Sequence, residues 1–237
     1  MSTLPSFRPN ALRFLRRLAR NNDRAWFEAN RATYELEVLN PLRELVEEVD
    51  ARLARVAPEI VGHPKRSVFR IHRDIRFSAD KSPYKTHAAA WFYHRDADKH
   101  VGHSGGGAGF YFHLEPGASL VAGGIWMPPR ESLARIRDAL TRDHRTFARI
   151  VAARSLARRF NPLSEEAMLK RLPRGYADDH PAARWLRYQS FTVSRSLSDD
   201  EVTHPKLAAM VVKDFTTMLP LVRWINDALG YPPADRR

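Results

Sequence analysis

Between Arg70 and His87 the chain reads Arg70-Ile-His-Arg73-Asp74-Ile-Arg76-Phe77-Ser-Ala-Asp80-Lys81-Ser-Pro83-Tyr84-Lys85-Thr86-His87. Guanidinium forks, ammonium groups and a phenol together suit the oxygens of a phosphate or carboxylate, because each charge-assisted hydrogen bond contributes roughly 1.5 to 3 kcal/mol. Arg70, Arg73, Arg76, Lys81, Tyr84, Lys85 and His87 are therefore the candidate ligand-binding residues. Asp74 and His87, with His113 and Glu115 further along, are the acid–base candidates should the ligand be transformed.

A chain segment must hold these groups still. Alternation over Val68 to Phe77 predicts a strand with Phe69, Ile71, Ile75 and Phe77 on one face and Arg70, His72, Asp74 and Arg76 on the other. Arg73 then falls in phase with the apolar face and needs a partner from among Asp74, Asp80 and Glu115, since a buried unpaired charge costs about 3 to 5 kcal/mol. Asp80 to Thr86 has turn chemistry, and Pro83 restricts Ser82 to extended backbone, so Lys81, Tyr84, Lys85 and His87 are expected on a stiffened loop. The bland alternative is a solvated, mutually screened ionic sheet face.

Other chemistry is weaker. His72, Asp74, His87, His113 and Glu115 include the makings of a two-histidine, one-carboxylate metal site, but they lack the tight spacing of the known motifs and have arginines nearby. Core histidines and no metal or cofactor are the expectation. His94, His100 and His103 are expected around a hairpin tip with incidental metal affinity. The Gly105–Gly109 run lacks a following Lys-Ser/Thr and precedes a strand, which argues for a flexible loop over a phosphate cradle. With no cysteine, disulfides, thiol nucleophiles and zinc–thiolate sites are excluded.

The surrounding elements follow from periodicity. Helices are expected over about residues 11–20 with Asn10 as N-cap, from Asn22 or Asp23 onward, and after Pro41 to about Val56. Strands are expected at Ala88 to Tyr93, Gly109 to Glu115 and Ser119 to Met127, joined as an antiparallel meander. Beyond Pro128 and Pro129 come helices to Arg142 and over 143–159, a linker at Pro173 to Pro181, and a short helical piece at Trp185. A strand follows at Ser190 to Ser196, where Ser190, Ser194, Arg195 and Ser196 offer further oxygen-binding donors. A long helix from Pro205 to Leu229, with Pro220 inside, closes the chain. This order predicts a single α+β domain over residues 1–237 with a central, mainly antiparallel sheet. On the Gly109–Glu115 strand, Tyr111, His113 and Glu115 share a polar face, and Trp91 or Trp126 is placed to wall a cavity beside it.

The chain has 237 residues and a net charge of +12, from 39 basic and 27 acidic side chains, which favours anionic partners. No run is long and apolar enough to span a bilayer, and no signal core is evident, so a soluble cytoplasmic protein without membrane contact is expected. Arg8 to Arg20 has transit-peptide composition, yet its Leu12, Leu15, Leu18 and Ala19 stripe reads as part of the fold.

The run from Phe69 to His87 resembles a bacterial family known as domain of unknown function 2461. Its pattern, Arg-x-x-Arg-Asp-x-Arg-Phe followed by Lys-x-Pro-Tyr-Lys-x-His, is matched at Arg70, Arg73, Asp74, Arg76, Phe77, Lys81, Pro83, Tyr84, Lys85 and His87. Asn21 to Phe27, Tyr111 to Gly117, Gly123 to Pro128 and the stretch from Arg174 to Arg195 extend the similarity over nearly the whole chain. The resemblance implies no activity. Three functions stay open: a binding module for an anionic small molecule, nucleotide or nucleic acid; an enzyme acting on a phosphorylated or carboxylated metabolite; and a protein-interaction domain.

Overall fold

The computed structural model describes residues 6–97 and 107–234. Helices α1 (Pro9–Arg20), α2 (Arg24–Tyr34) and α3 (Asn40–Leu53) come first. Strands β1 (Ile60–Val61), β2 (Ala88–His94), β3 (Gly109–Leu114) and β4 (Ser119–Ile125) follow, then helices α4 (Arg130–Val151), α5 (Arg154–Ala157) and α6 (Ala183–Leu186). Strand β5 (Phe191–Leu197) and helices α7 (Asp199–Thr203) and α8 (Leu207–Ala228) complete an α+β fold with a long final helix. The sheet runs β1-β2-β3-β4-β5 with every neighbour antiparallel; β2-β3-β4 is the expected meander, and the short β1 and the β5 strand extend it at either edge. Among the described residues no helix is long and apolar enough to cross a membrane.

Local chemistry explains most boundaries. Pro9 sits in the first turn of α1, where its missing N–H costs nothing. Arg8 rather than Asn10 is the N-cap residue, and Asn10 instead accepts from Arg13 and donates to Glu37. Asp23 caps α2 by accepting from the Trp26 N–H at 2.8 Å. Pro41 does not open a gap: a π-helical turn over Glu35–Leu39 absorbs the change of register and α3 continues through it. The break expected near residue 142 is a kink at Asp143, whose carboxylate accepts from Thr146 N–H and restarts the helix within α4.

The antiparallel register sorts the sheet into two faces. Phe92, Phe110, Phe112, Val121, Val193 and Arg195 point one way; Ala89, Trp91, Tyr111, His113, Leu120, Ala122, Gly124, Thr192 and Ser194 point the other. Helix α8 covers the first face. Phe215 stacks on Phe110 with ring centroids 4.5 Å apart, and a Cβ on Gly123 would lie 2.9 Å from the Met218 sulfur. One hydrophobic core runs from Phe7 to Leu229.

Two readings of this framework are corrected. Val68 to Phe77 is not a strand; it makes only the isolated bridges Val68 to Ala90 and His72 to Tyr84, and Phe77 is fully in solvent. The cause is local capture of the backbone: Asp74 accepts from Arg76 N–H and Asp80 from Ser82 N–H, closing turns with groups that a strand ladder needs. His94 does not sit at an exposed tip but is buried, its Nε2 3.1 Å from the Pro232 carbonyl oxygen. His100, His103, Gly105 and Gly106 lie outside the described residues.

Arg195, a candidate ligand donor, instead holds the fold together. Its guanidinium meets the fully buried Asp214 of α8 at 2.7 Å and Glu201 at 2.9 Å, while Arg159 pairs with the other Asp214 oxygen. Removing the carboxylate would leave two guanidinium groups without their buried partner. Asp214→Asn should therefore lose about 3 to 5 kcal/mol in denaturant unfolding; a change within about 0.5 kcal/mol, the range of an ordinary surface substitution, would contradict this account.

A candidate pocket on the open sheet face

The face that α8 leaves uncovered carries a cavity of about 630 Å³, within the range of small-molecule sites. Its floor is built by alternation: Ala89 and Trp91 of β2, Tyr111 of β3, Leu120, Ala122 and Gly124 of β4, and Thr192 and Ser194 of β5. Gly124 has φ +127, and a Cβ there would come within 1.9 Å of the Phe191 carbonyl oxygen, so glycine both permits this backbone and keeps the floor open. Trp126, half-exposed, and Pro128 line one side, with Met127 between them in the left-handed region at φ 42. Phe69 and Lys85 line another, and Ser164 and Glu166 a third.

Lys85 and His87 reach this wall because the segment before β2 is pinned at its end. Tyr84 is buried with its ring stacked on Phe27 at 4.1 Å. Its N–H donates to the Asn22 side-chain oxygen at 3.0 Å, and its carbonyl accepts from the Asn22 amide at 2.9 Å. Lys85 N–H donates to the Ile71 carbonyl and Arg73 N–H to that of Pro83, so the two arms of the excursion are tied together.

The candidate residues separate accordingly. Arg73 pairs with Asp80 and donates to Ser78; Arg76 pairs with Asp74 at 2.6 Å; Lys81 donates to the Ile75 carbonyl at 3.0 Å. The Arg76 guanidinium holds the Asp74 carboxyl down at about 2, and Ser82 and Arg73 hold that of Asp80 well below its ordinary range. These side chains and the exposed Arg70 do not line the cavity, and Tyr84 serves as the anchor. Lys85 and His87 do line it. Among the described residues no carboxylate forms an ion pair with Lys85. Its ammonium lies over the Phe69 ring, 5.4 Å from the centroid, and burial together with nearby Arg70 lowers its pKa.

His87 belongs to a second group. Its ring lies 4.3 Å from that of His113, whose Nε2 is 3.0 Å from Glu115 Oε2 and whose Nδ1 is 2.9 Å from the Tyr111 hydroxyl. The acid–base candidates His87, His113 and Glu115 are thus brought together, whereas Asp74 is not. Burial and the adjacent His113 push the His87 pKa down to about 4, with Lys85 adding to the effect and Glu115 opposing it; His87 is neutral at pH 7. Burial, then Glu115, pushes the Tyr111 phenol up to about 12.

Fold and site together define an α+β protein with a pocket on the open face of an antiparallel sheet. The chain belongs to the family described as conserved hypothetical protein (DUF2461), whose model matches residues 10–224. No curated protein and no solved structure matches the chain.

The His87 shift fixes the sign of a pH effect. Between the ordinary value of 6.5 and about 4, the unfolded chain takes up a proton that folded His87 refuses, so stability is retained above pH 6.5 and lost as pH falls toward 4. Urea unfolding should show a larger loss between pH 7 and 4.5 in the wild type than in His87→Gln. Equal losses would contradict the burial of a neutral His87.

Proposed function

We propose that the protein binds a small molecule with a flat apolar body and one carboxylate or phosphate group in the open-face pocket. The observation that carries this is Lys85, a cation in a mostly aromatic and aliphatic wall with no carboxylate paired to it among the described residues. An ammonium held this way is stabilised by an arriving anion, and in a partly dry site that attraction is stronger than at an open surface. Trp91, Tyr111 and Trp126 supply planar surface for the body, and Thr192 and Ser194 supply hydroxyls. The exposed Glu166 on another wall disfavours a second anionic group there.

This reading narrows the anion site from a basic strand and loop to Lys85 and His87. It disfavours a nucleic-acid role for Arg73, Arg76 and Lys81, because each already has a local partner. A second reading, an enzyme acting on the same ligand, is favoured by the chain from Tyr111 through His113 to Glu115 beside His87, where proton positions are shared along one line.

A thermal-shift screen of aromatic carboxylates, nucleoside monophosphates and sugar phosphates tests the binding reading. A ligand at a hundred times its Kd should stabilise the wild type by about 2.7 kcal/mol, and Lys85→Met should abolish the shift. Affinity should fall by less than about one log unit per log unit of salt, since a single cation meets the ligand, whereas phosphate-backbone binding gives about 0.9 for every contact. A shift that survives Lys85→Met, or the absence of any shift, would overturn the reading.

A further inference from the structure

We propose that His87, His113 and Glu115 form a binding site for a divalent transition-metal cation at the edge of the pocket. Each offers one ligand atom, and the three atoms all lie within 4.8 Å of one another. His113 Nε2 and Glu115 Oε2 are already 3.0 Å apart, against the roughly 3.0 Å (octahedral) to 3.4 Å (tetrahedral) between two donors that each stand about 2.1 Å from one ion. The site is thus close to formed, and His87 has only to approach a pair that is in place.

The support around the ligands is of the kind metal sites use. Alternation on β3 puts Tyr111 and His113 on one face, Glu115 just past the strand end meets His113 on the same side, and Tyr111 holds His113 Nδ1 at 2.9 Å, which fixes the ring with Nε2 directed at Glu115. Thr86 Oγ1 stands 3.4 Å from the other Glu115 oxygen. All three ligand residues are only partly exposed, so the donors are neither loose surface groups nor sealed in the core. On binding, the ion takes the His113 Nε2 lone pair, and the ring proton then sits on Nδ1, which donates to the Tyr111 hydroxyl oxygen.

Two imidazoles and one carboxylate, with no thiolate in the protein, select zinc, iron(II), cobalt or nickel rather than calcium or magnesium, which prefer all-oxygen shells. Three protein donors leave at least one coordination position, and His87 lines the cavity, so that position is available to an oxygen of a molecule bound there. At His87 the Glu115 charge favours a cation and the smaller effect of Lys85 opposes it, so an anion that meets Lys85 and the metal should each strengthen the binding of the other.

The test uses the full-length protein freed of metal with EDTA and then titrated with cobalt(II). One equivalent should bind, with visible d–d bands and no thiolate charge-transfer band, and zinc should displace it. His87→Ala and Glu115→Gln should each weaken binding by at least tenfold. Tyr111→Phe, which leaves all three donors in place, should weaken it by roughly 10- to 100-fold while circular dichroism stays unchanged. Lys85→Met should retain the cobalt spectrum while losing the ligand-dependent thermal shift, so failure of the metal site and failure of the ligand reading are read separately. No cobalt bands in the wild type, or bands of undiminished affinity in Glu115→Gln and Tyr111→Phe, would overturn the proposal. Should His87→Ala fail to fold, these two variants decide the matter.

Discussion

The Asn22 carboxamide meets the Tyr84 backbone as a neighbouring strand would, donating to its carbonyl and accepting from its N–H. With the Tyr84 ring stacked on Phe27, this pair of hydrogen bonds fastens an excursion that has almost no sheet pairing of its own to the N-terminal helices. Everything downstream takes its position from that attachment. Lys85 and His87 are the first and third residues after it, so they emerge on the pocket side of the sheet just before β2 begins. The same device recurs at the other end of the hairpin, where the buried Asn226 of α8 accepts from Ala108 N–H and donates to its carbonyl at the start of β3. Two side-chain amides thus set where the pocket-forming strands start.

Charge is distributed by the same economy of local satisfaction. A chain of net charge +12 has many cations, yet Arg73, Arg76, Arg159, Arg195 and Arg223 are each committed to a carboxylate. The exposed pairs contribute little stability, but they fix the conformation of the 74–82 turn. The pairs to Asp214 and Glu59 are different, because both carboxylates are buried and their loss leaves arginines facing the interior. Lys85 escapes this bookkeeping among the described residues, and it does so in the one wall where a ligand can reach it.

The sheet and the main helices were legible because their signals are periodic. β3 alternates cleanly between Phe110, Phe112, Leu114 and Tyr111, His113, Glu115, and the structure keeps that alternation residue for residue. The segment over 68–77 shows the limit: its alternation is broken by Arg73, and Asp74, Asp80 and their neighbours close turns on their own backbone, so local hydrogen bonds outweigh a weak period. Arg73 was readable as needing a partner, and Asp80, one of three candidates, is the one it finds. Tyr84 was readable as special but not as an anchor, since its partners Phe27 and Asn22 are distant in sequence. That His113 and Glu115 share a face was legible in their alternation, but the arrival of His87 beside them left no spacing signal, because it depends on the β2–β3 register.

The titration of Lys85 tests the central claim most directly. After reductive ¹³C-methylation, its NMR signal, assigned by Lys85→Arg, should titrate below the ordinary lysine value of 10.5, because its site is partly dry and Arg70 lies nearby. Saturation with an anionic aromatic ligand should move that midpoint upward. A Lys85 that titrates at the ordinary lysine value and does not respond to any such ligand would contradict the account.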